Sequence, residues 1–182
     1  MAVQSKPMTV EEFDRFVALP ENAERLFEYI GGEVVQVVSN NYSSLVAAQV
    51  LIAIGIYLKQ HPIGYLTGEA GGYVVAGERY MPDVGFIAKA RQPEPSRAAY
   101  NPNPPDLAVE VLSPTDSPDH VRVKVGNYLA AGTVVWVIDP ERKLVEVYAP
   151  GQPVRKVGVD GVLDGGEVLP GFTLAVKDIF PE

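Results

Sequence analysis

Glu110 stands in the middle of an apolar run, Leu107-Ala-Val-Glu-Val-Leu112, with the composition of a buried strand. Strand alternation puts Leu107, Val109 and Val111 on one face, and Ala108, Glu110 and Leu112 on the other. Both faces are apolar except for that carboxylate. An ionised acid in such surroundings calls for a cation, a cluster of donors or a metal. A cation lies close in sequence. Ser117 reads as an N-cap, Pro118 as the first helical residue, Asp119 as first-turn acid and Gly132 as the stop. On that helix Val121, Val125, Tyr128 and Leu129 form an apolar stripe, and Lys124 borders it one turn before Tyr128. If the helix folds back on the sheet, the ammonium reaches the strand; a surface lysine that packs only its stem fits the helix equally well.

Two further acids have suitable surroundings. Asp83 follows Met81-Pro82 at the mouth of the strand Val84 to Ala88, although Pro-Asp is also ordinary turn chemistry. Glu28 shares a face with Leu26 and Ile30 on one arm of a hairpin, where position alone favours an exposed acid on an edge strand. Glu33, across the Gly31-Gly32 turn, is expected to be exposed. Ser113 ends the Glu110 strand as a donor or a turn residue, and Tyr128 reads first as a core aromatic. Carboxylates of this kind can hold a hard divalent cation through oxygen, and an amine beside them can stabilise developing negative charge. The same groups also suit a structural ion-pair network, or, for Glu28 and Glu110, a metal-free sugar hydrolase.

Composition narrows the chemistry. The 182 residues contain no cysteine and two histidines, His61 and His120. Thiolate metal sites, disulfides and a histidine-rich metal centre are thereby excluded, and any metal would sit among oxygens, as magnesium or manganese prefers. The length fits one domain over 1–182, with a loose terminus over 1–7. The net charge of −8 argues against broad nonspecific affinity for nucleic acid, without excluding a local groove or a metal-bridged substrate. No signal peptide or membrane-spanning segment is expected, which points to the cytoplasm.

The elements that must position these groups follow in order. Thr9 to Leu19 is a helix with a Thr9/Glu12 capping box. Arg25 to Ile30 and Glu33 to Val38 form a hairpin around Gly31-Gly32. Ser39 to Ser44 is a polar loop, and Leu45 to Lys59 a helix apolar almost all round, buried on a sheet or at a subunit contact. Gln49 in its middle reads as structural. Gly64 to Val75 is strand-like with glycine bends, Glu78 to Tyr80 a turn, and Lys89 to Pro105 a proline-rich surface loop. Thr133 to Ile138 and Leu144 to Tyr148 pair through the turn at Asp139-Pro-Glu-Arg142. The remainder covers the sheet or makes a dimer contact. Trp136 reads as core.

Taken together, Phe-Glu28-Tyr-Ile-Gly-Gly-Glu33, Pro-Asp83-Val, and Val-Glu110-Val-Leu-Ser-Pro with Lys124 and Tyr128 downstream resemble the bacterial Uma-two family. These are restriction-endonuclease-like proteins of the PD-(D/E)XK nuclease superfamily. The resemblance extends from about Thr9 to Phe180 and includes Trp136-Val-Ile-Asp-Pro140 and the closing Leu-Pro-Gly. It implies an α/β (α+β) fold, a mixed β-sheet flanked by helices, and magnesium- or manganese-dependent hydrolysis of DNA. It further implies Asp83 and Glu110 as metal ligands and Glu28 as an additional acid. The superfamily's lysine two residues after the second acid is replaced here by Leu112, and the family pattern supplies Lys124 from the helix instead. The histidine often found in the loop before the second helix is replaced by Asn40, Asn41 and Tyr42. A homodimer is expected from the apolar second helix and the apolar C-terminal segment.

Overall fold

The computed structural model describes residues 7–181. The expected loose terminus therefore lies outside the described residues except for Pro7, which is exposed and irregular. In chain order the elements are α1 (Val10–Val17), β1 (Phe27–Ile30), β2 (Glu33–Gln36), α2 (Asn41–Gln60), β3 (Gly64–Gly68), β4 (Gly72–Val75), β5 (Glu78–Tyr80) and β6 (Val84–Ala88). There follow β7 (Tyr100–Asn101), β8 (Leu107–Val111), α3 (Pro118–Ala130), β9 (Val134–Asp139), β10 (Leu144–Tyr148), β11 (Arg155–Gly158), β12 (Val162–Asp164) and β13 (Thr173–Ala175), with short 3₁₀ turns at Pro20–Asn22 and Val176–Ile179.

The architecture is mixed α+β. The central six-stranded sheet runs β11-β10-β9-β8-β6-β3, and a five-stranded sheet runs β2-β1-β5-β4-β7. Only β8 and β9 pair in parallel within the central sheet, with Glu110 opposite Val137. A parallel pair needs a crossover, and α3 supplies it. That connection returns Lys124 and Tyr128 over the strand that carries Glu110.

The alternation on β8 sorts two cores. Leu107, Val109 and Val111 join Val46, Val50 and Ile54 of α2 and Trp136 of β9 in one cluster. Ala108 joins Val135, Val137, Tyr80, Val125 and Tyr128 in the other. The C-terminal segment closes the first cluster with Leu163, Leu169, Phe172 and Ile179, all buried.

Several expected elements differ. Asn40, not a residue nearer Leu45, caps α2, its side chain accepting from Ser43 N–H at 2.9 Å. The helix thus begins inside the expected loop, because a capping asparagine can satisfy the orphan donors of a first turn. Glu78 to Tyr80 is a strand, not a turn; the bend precedes it, at Ala76 and Gly77 with φ of 50° and 86°. The glycine-rich stretch splits into β3 and β4, which belong to different sheets. The proline-rich loop contributes β7, parallel to β4.

Helix α2 is long and apolar enough to cross a membrane by length and composition alone. Here one side packs against β3, β6 and β8. The opposite side, including Gln49, is exposed rather than buried.

Candidate active site

Four of the residues singled out above, Glu28, Asp83, Glu110 and Lys124, line one cavity of about 430 Å³. Each arrives from a different element: Glu28 from β1, Asp83 from the entry to β6, Glu110 from β8 and Lys124 from α3.

Lys124 is the centre of the cluster. Its Nζ lies 2.8 Å from Glu28 Oε1 and 2.6 Å from Glu110 Oε2. Only 7% of the residue is exposed, so the surface reading of this lysine does not hold. Burial by itself would depress the ammonium's pKa; the Glu110 and Glu28 carboxylates outweigh it and raise the value above that of an ordinary lysine. The charge is therefore fixed at any physiological pH. The face of the Tyr80 ring supports it, with Nζ 5.7 Å from the centroid.

Glu110 is held at both oxygens. Lys124 donates to Oε2, and the Tyr128 hydroxyl donates to Oε1 at 3.0 Å. Tyr128 is thus a core aromatic, 0% exposed, that also carries a hydrogen bond into the site. Burial pushes the Glu110 carboxyl above its usual range, Lys124 opposes that shift, and the nearby Glu28 and Asp83 reinforce it.

Glu28 departs from the expectation of an edge-strand acid. Its strand is flanked by β2 on one side and β5 on the other, and the residue is 6% exposed. Besides Lys124, its Oε1 accepts the Met81 N–H at 2.6 Å. Asp83 accepts the Val111 N–H at Oδ2, 2.6 Å away. Burial raises its pKa to about 6, while that N–H and Lys124 act in the opposite direction. Ser113 takes the turn role: its N–H donates to Asp116 Oδ2 at 2.6 Å, and its hydroxyl lies 3.0 Å from that of Thr115. Glu33 is exposed, as expected, and its Oε2 lies 3.1 Å from His120 Nε2.

Asp116, His120, Glu78, Tyr80 and Asn127 escaped the sequence reading. Asp116 and His120 line the cavity. His120, Lys124 and Tyr128 recur at intervals of four on one helix, a periodic signal that was present in the sequence. Glu78, Tyr80 and Asn127 form a second layer. The Tyr80 hydroxyl donates to Glu78, while Asn127 Nδ2 donates to the Tyr80 oxygen at 2.6 Å and to Glu78 Oε2 at 3.2 Å. Glu78 Oε1 also accepts Gly31 N–H at 2.8 Å, which ties the β1–β2 turn to α3. No local pattern marks this layer, because its members meet only through the tertiary fold.

Among the described residues, no three His, Asp or Glu side chains are arranged together as metal ligands. The donor set still suits a hard cation that relies on few protein oxygens. Magnesium commonly takes one or two carboxylates and completes its shell with water and substrate phosphate. Asp83 commits one oxygen to Val111 N–H, whereas both Glu110 oxygens are engaged by Lys124 and Tyr128. Three acids gathered around a single ammonium leave local negative charge for a cation to offset once Asp83 and Glu110 are deprotonated.

A family model described as "putative restriction endonuclease", Uma2, matches residues 10–177. The chain belongs to the Uma2 family. The crystal structure of "a putative nuclease belonging to DUF820" from Anabaena variabilis ATCC 29413 is similar to this Uma2 chain at a TM-score of 0.82 and 26% identity, covering 96% of this chain and 98% of that one. No curated protein matches. The fold and the restriction-endonuclease-like character inferred from the sequence therefore stand.

Proposed function

We propose that this chain is a divalent-metal-dependent endonuclease that hydrolyses phosphodiester bonds in DNA, in a cytoplasmic setting. What carries the reading is one observation: Glu28, Asp83, Glu110 and Lys124 converge from four elements on one cavity of a nuclease-family scaffold. Asp83 and Glu110 would hold magnesium or manganese. Such a cation supplies charge neutralisation at phosphate and lowers the pKa of a water.

The protein's own groups have separate tasks. Lys124 places a fixed positive charge where negative charge develops on the phosphate. Tyr128 and the Met81 N–H orient Glu110 and Glu28. Asp83 and Glu110 serve as ligands only when deprotonated, so cation binding and cleavage should rise as pH climbs through about 6 and go on rising as the more strongly raised Glu110 loses its proton.

The test uses purified protein with supercoiled, linear duplex and single-stranded DNA, with magnesium or manganese and with EDTA. Metal-dependent cleavage is expected, falling by roughly 100-fold or more in Glu110→Gln and in Lys124→Ala. Cleavage that persists in either variant removes the site assignment, and cleavage indifferent to EDTA removes the metal.

The engagement of both Glu110 oxygens favours a second reading, a noncatalytic nucleic-acid- or protein-binding module on the nuclease fold. Calorimetry separates the two. Manganese binding that disappears in Asp83→Asn supports the nuclease, whereas absence of both binding and cleavage supports the module.

A further inference from the structure

Helix α2 turns an unusual face to solvent. A helix packed on a sheet normally directs charged residues outward. The outward stripe of α2 instead carries Leu45, Ile52 and Ile56, which are 45%, 54% and 62% exposed. Between them stands Gln49, and at the ends stand Asn41, Tyr42, Lys59 and Gln60, all exposed. The helix contains no Asp or Glu, in a chain that holds 23 of them.

We infer that this face binds a second copy of the chain, α2 against α2 in antiparallel orientation about a twofold axis. Symmetry and charge select that occupant. In a twofold contact, residue i meets j and j meets i. About the midpoint between Val50 and Leu51, the exposed stripe maps onto itself: Leu45 onto Ile56, Gln49 onto Ile52, Tyr42 onto Lys59 and Asn41 onto Gln60. Each Gln49 thus meets an Ile52 beside the axis, Leu45 meets Ile56 on either side of that pair, amides meet at the ends, and each Lys59 ammonium meets a tyrosine ring. Two chains of net charge −8 repel, so their most favourable approach is through an element free of carboxylates.

The helix stripe alone is narrow for a stable dimer, which needs on the order of 800 Å² from each partner. The surface continues beside it. A mixed groove opens along the first half of α2, its apolar part formed by Leu26, Val37, Leu45 and Ala48 and its polar rim including Ser44 and Glu69. Val38, next in sequence to one of those residues, is 65% exposed. The twofold arrangement places the partner's Ile56 over Leu45, at the edge of that groove. This inference is independent of the nuclease reading.

Sedimentation equilibrium of the full chain should give twice its 19.7 kDa mass at tens of micromolar. Ile52→Lys should weaken the association by about 30-fold or more, as loss of a central apolar anchor does. Because Ile52 is exposed in the single chain, the circular dichroism spectrum should be unchanged, as should the melting temperature at a dilution where both proteins are monomeric. Orientation is read from single cysteines, which report cleanly in a cysteine-free chain. With bismaleimidoethane, Gln49→Cys near the axis should crosslink and Lys59→Cys far from it should not. A monomer at every concentration, an Ile52→Lys protein that still dimerises, or crosslinking through Lys59→Cys overturns the proposal. So does a monomer that binds phosphatidylcholine–phosphatidylglycerol vesicles, which would assign the face to a membrane surface.

Discussion

The two faces of β8 are built from the same six-residue run, and they behave differently. Towards α2, Leu107, Val109 and Val111 pack into an apolar cluster with Val46, Val50, Ile54 and Trp136. Towards α3, the single change to Glu110 draws in Lys124, Glu28 and Tyr128 and, behind them, Tyr80. The apolar side is held by contacts that tolerate imprecision, since hydrophobic burial is non-directional. The polar side must satisfy each buried atom, and among the described residues no buried side-chain nitrogen or oxygen lacks a partner. A buried ion cluster contributes little net stability relative to apolar residues of the same volume. Stability alone therefore does not account for it, whereas the proposed chemistry does.

Breaking the charged side should have the largest effect. Lys124→Met leaves Glu28 and Glu110 facing each other without their cation, and removal of one member of a buried pair costs about 3–5 kcal/mol. Urea unfolding at pH 8 should show that loss. Glu110 already has a raised pKa, so the folded state holds its proton to higher pH than the unfolded state does. Stability from that proton is complete below the unfolded pKa and is lost as pH rises through the folded one. The variant should therefore recover on acidification, as protonation of Glu110 relieves the repulsion. Replacing all three residues by Met and Leu should restore most of the stability. If Lys124→Met costs under about 1 kcal/mol, the cluster is not the buried charge centre described here.

The apolar side should respond differently. Ile54 is fully buried on the sheet-facing side of α2. Ile54→Ala should cost about 2–5 kcal/mol by leaving a cavity, without a change in manganese affinity measured by calorimetry at a temperature where the variant is folded. A loss of cation binding in that variant would show that the two faces are coupled through the sheet.

Much of this contrast was legible before the fold was known. Alternation along Leu107 to Leu112 separates the two faces correctly, and the Ser117 cap with helical spacing places Lys124 on the side of Tyr128. The Gly31-Gly32 hairpin was also readable, both glycines having positive φ. What could not be read was burial that depends on distant partners. Glu28 on a hairpin arm reads as an edge acid until β5 is known to pair with β1 from the other side. Glu78 reads as a turn acid because nothing local announces that it will receive Gly31, Tyr80 and Asn127 at once. Asn40 was hidden for a different reason: a cap inside a polar run resembles a loop.

The smallest expected effect sharpens the comparison at its boundary, where Asp83 links the strand entry to the backbone of β8. Its carboxyl accepts the Val111 N–H, yet burial raises its pKa to about 6 from a normal value near 4. The folded state thus binds this proton more tightly than the unfolded state. Its contribution is fully present below pH 4, declines as pH rises through about 6, and is gone above that. In the absence of divalent cation, the wild type should lose about 2–3 kcal/mol across this window relative to Asp83→Asn, whose amide does not titrate. Adding manganese should reverse the sign for the wild type alone, because a ligand that binds only the deprotonated folded state stabilises it by mass action. Parallel stability curves for the two proteins, with and without the metal, would place Asp83 outside the cation site and leave the Val111 contact as its whole role.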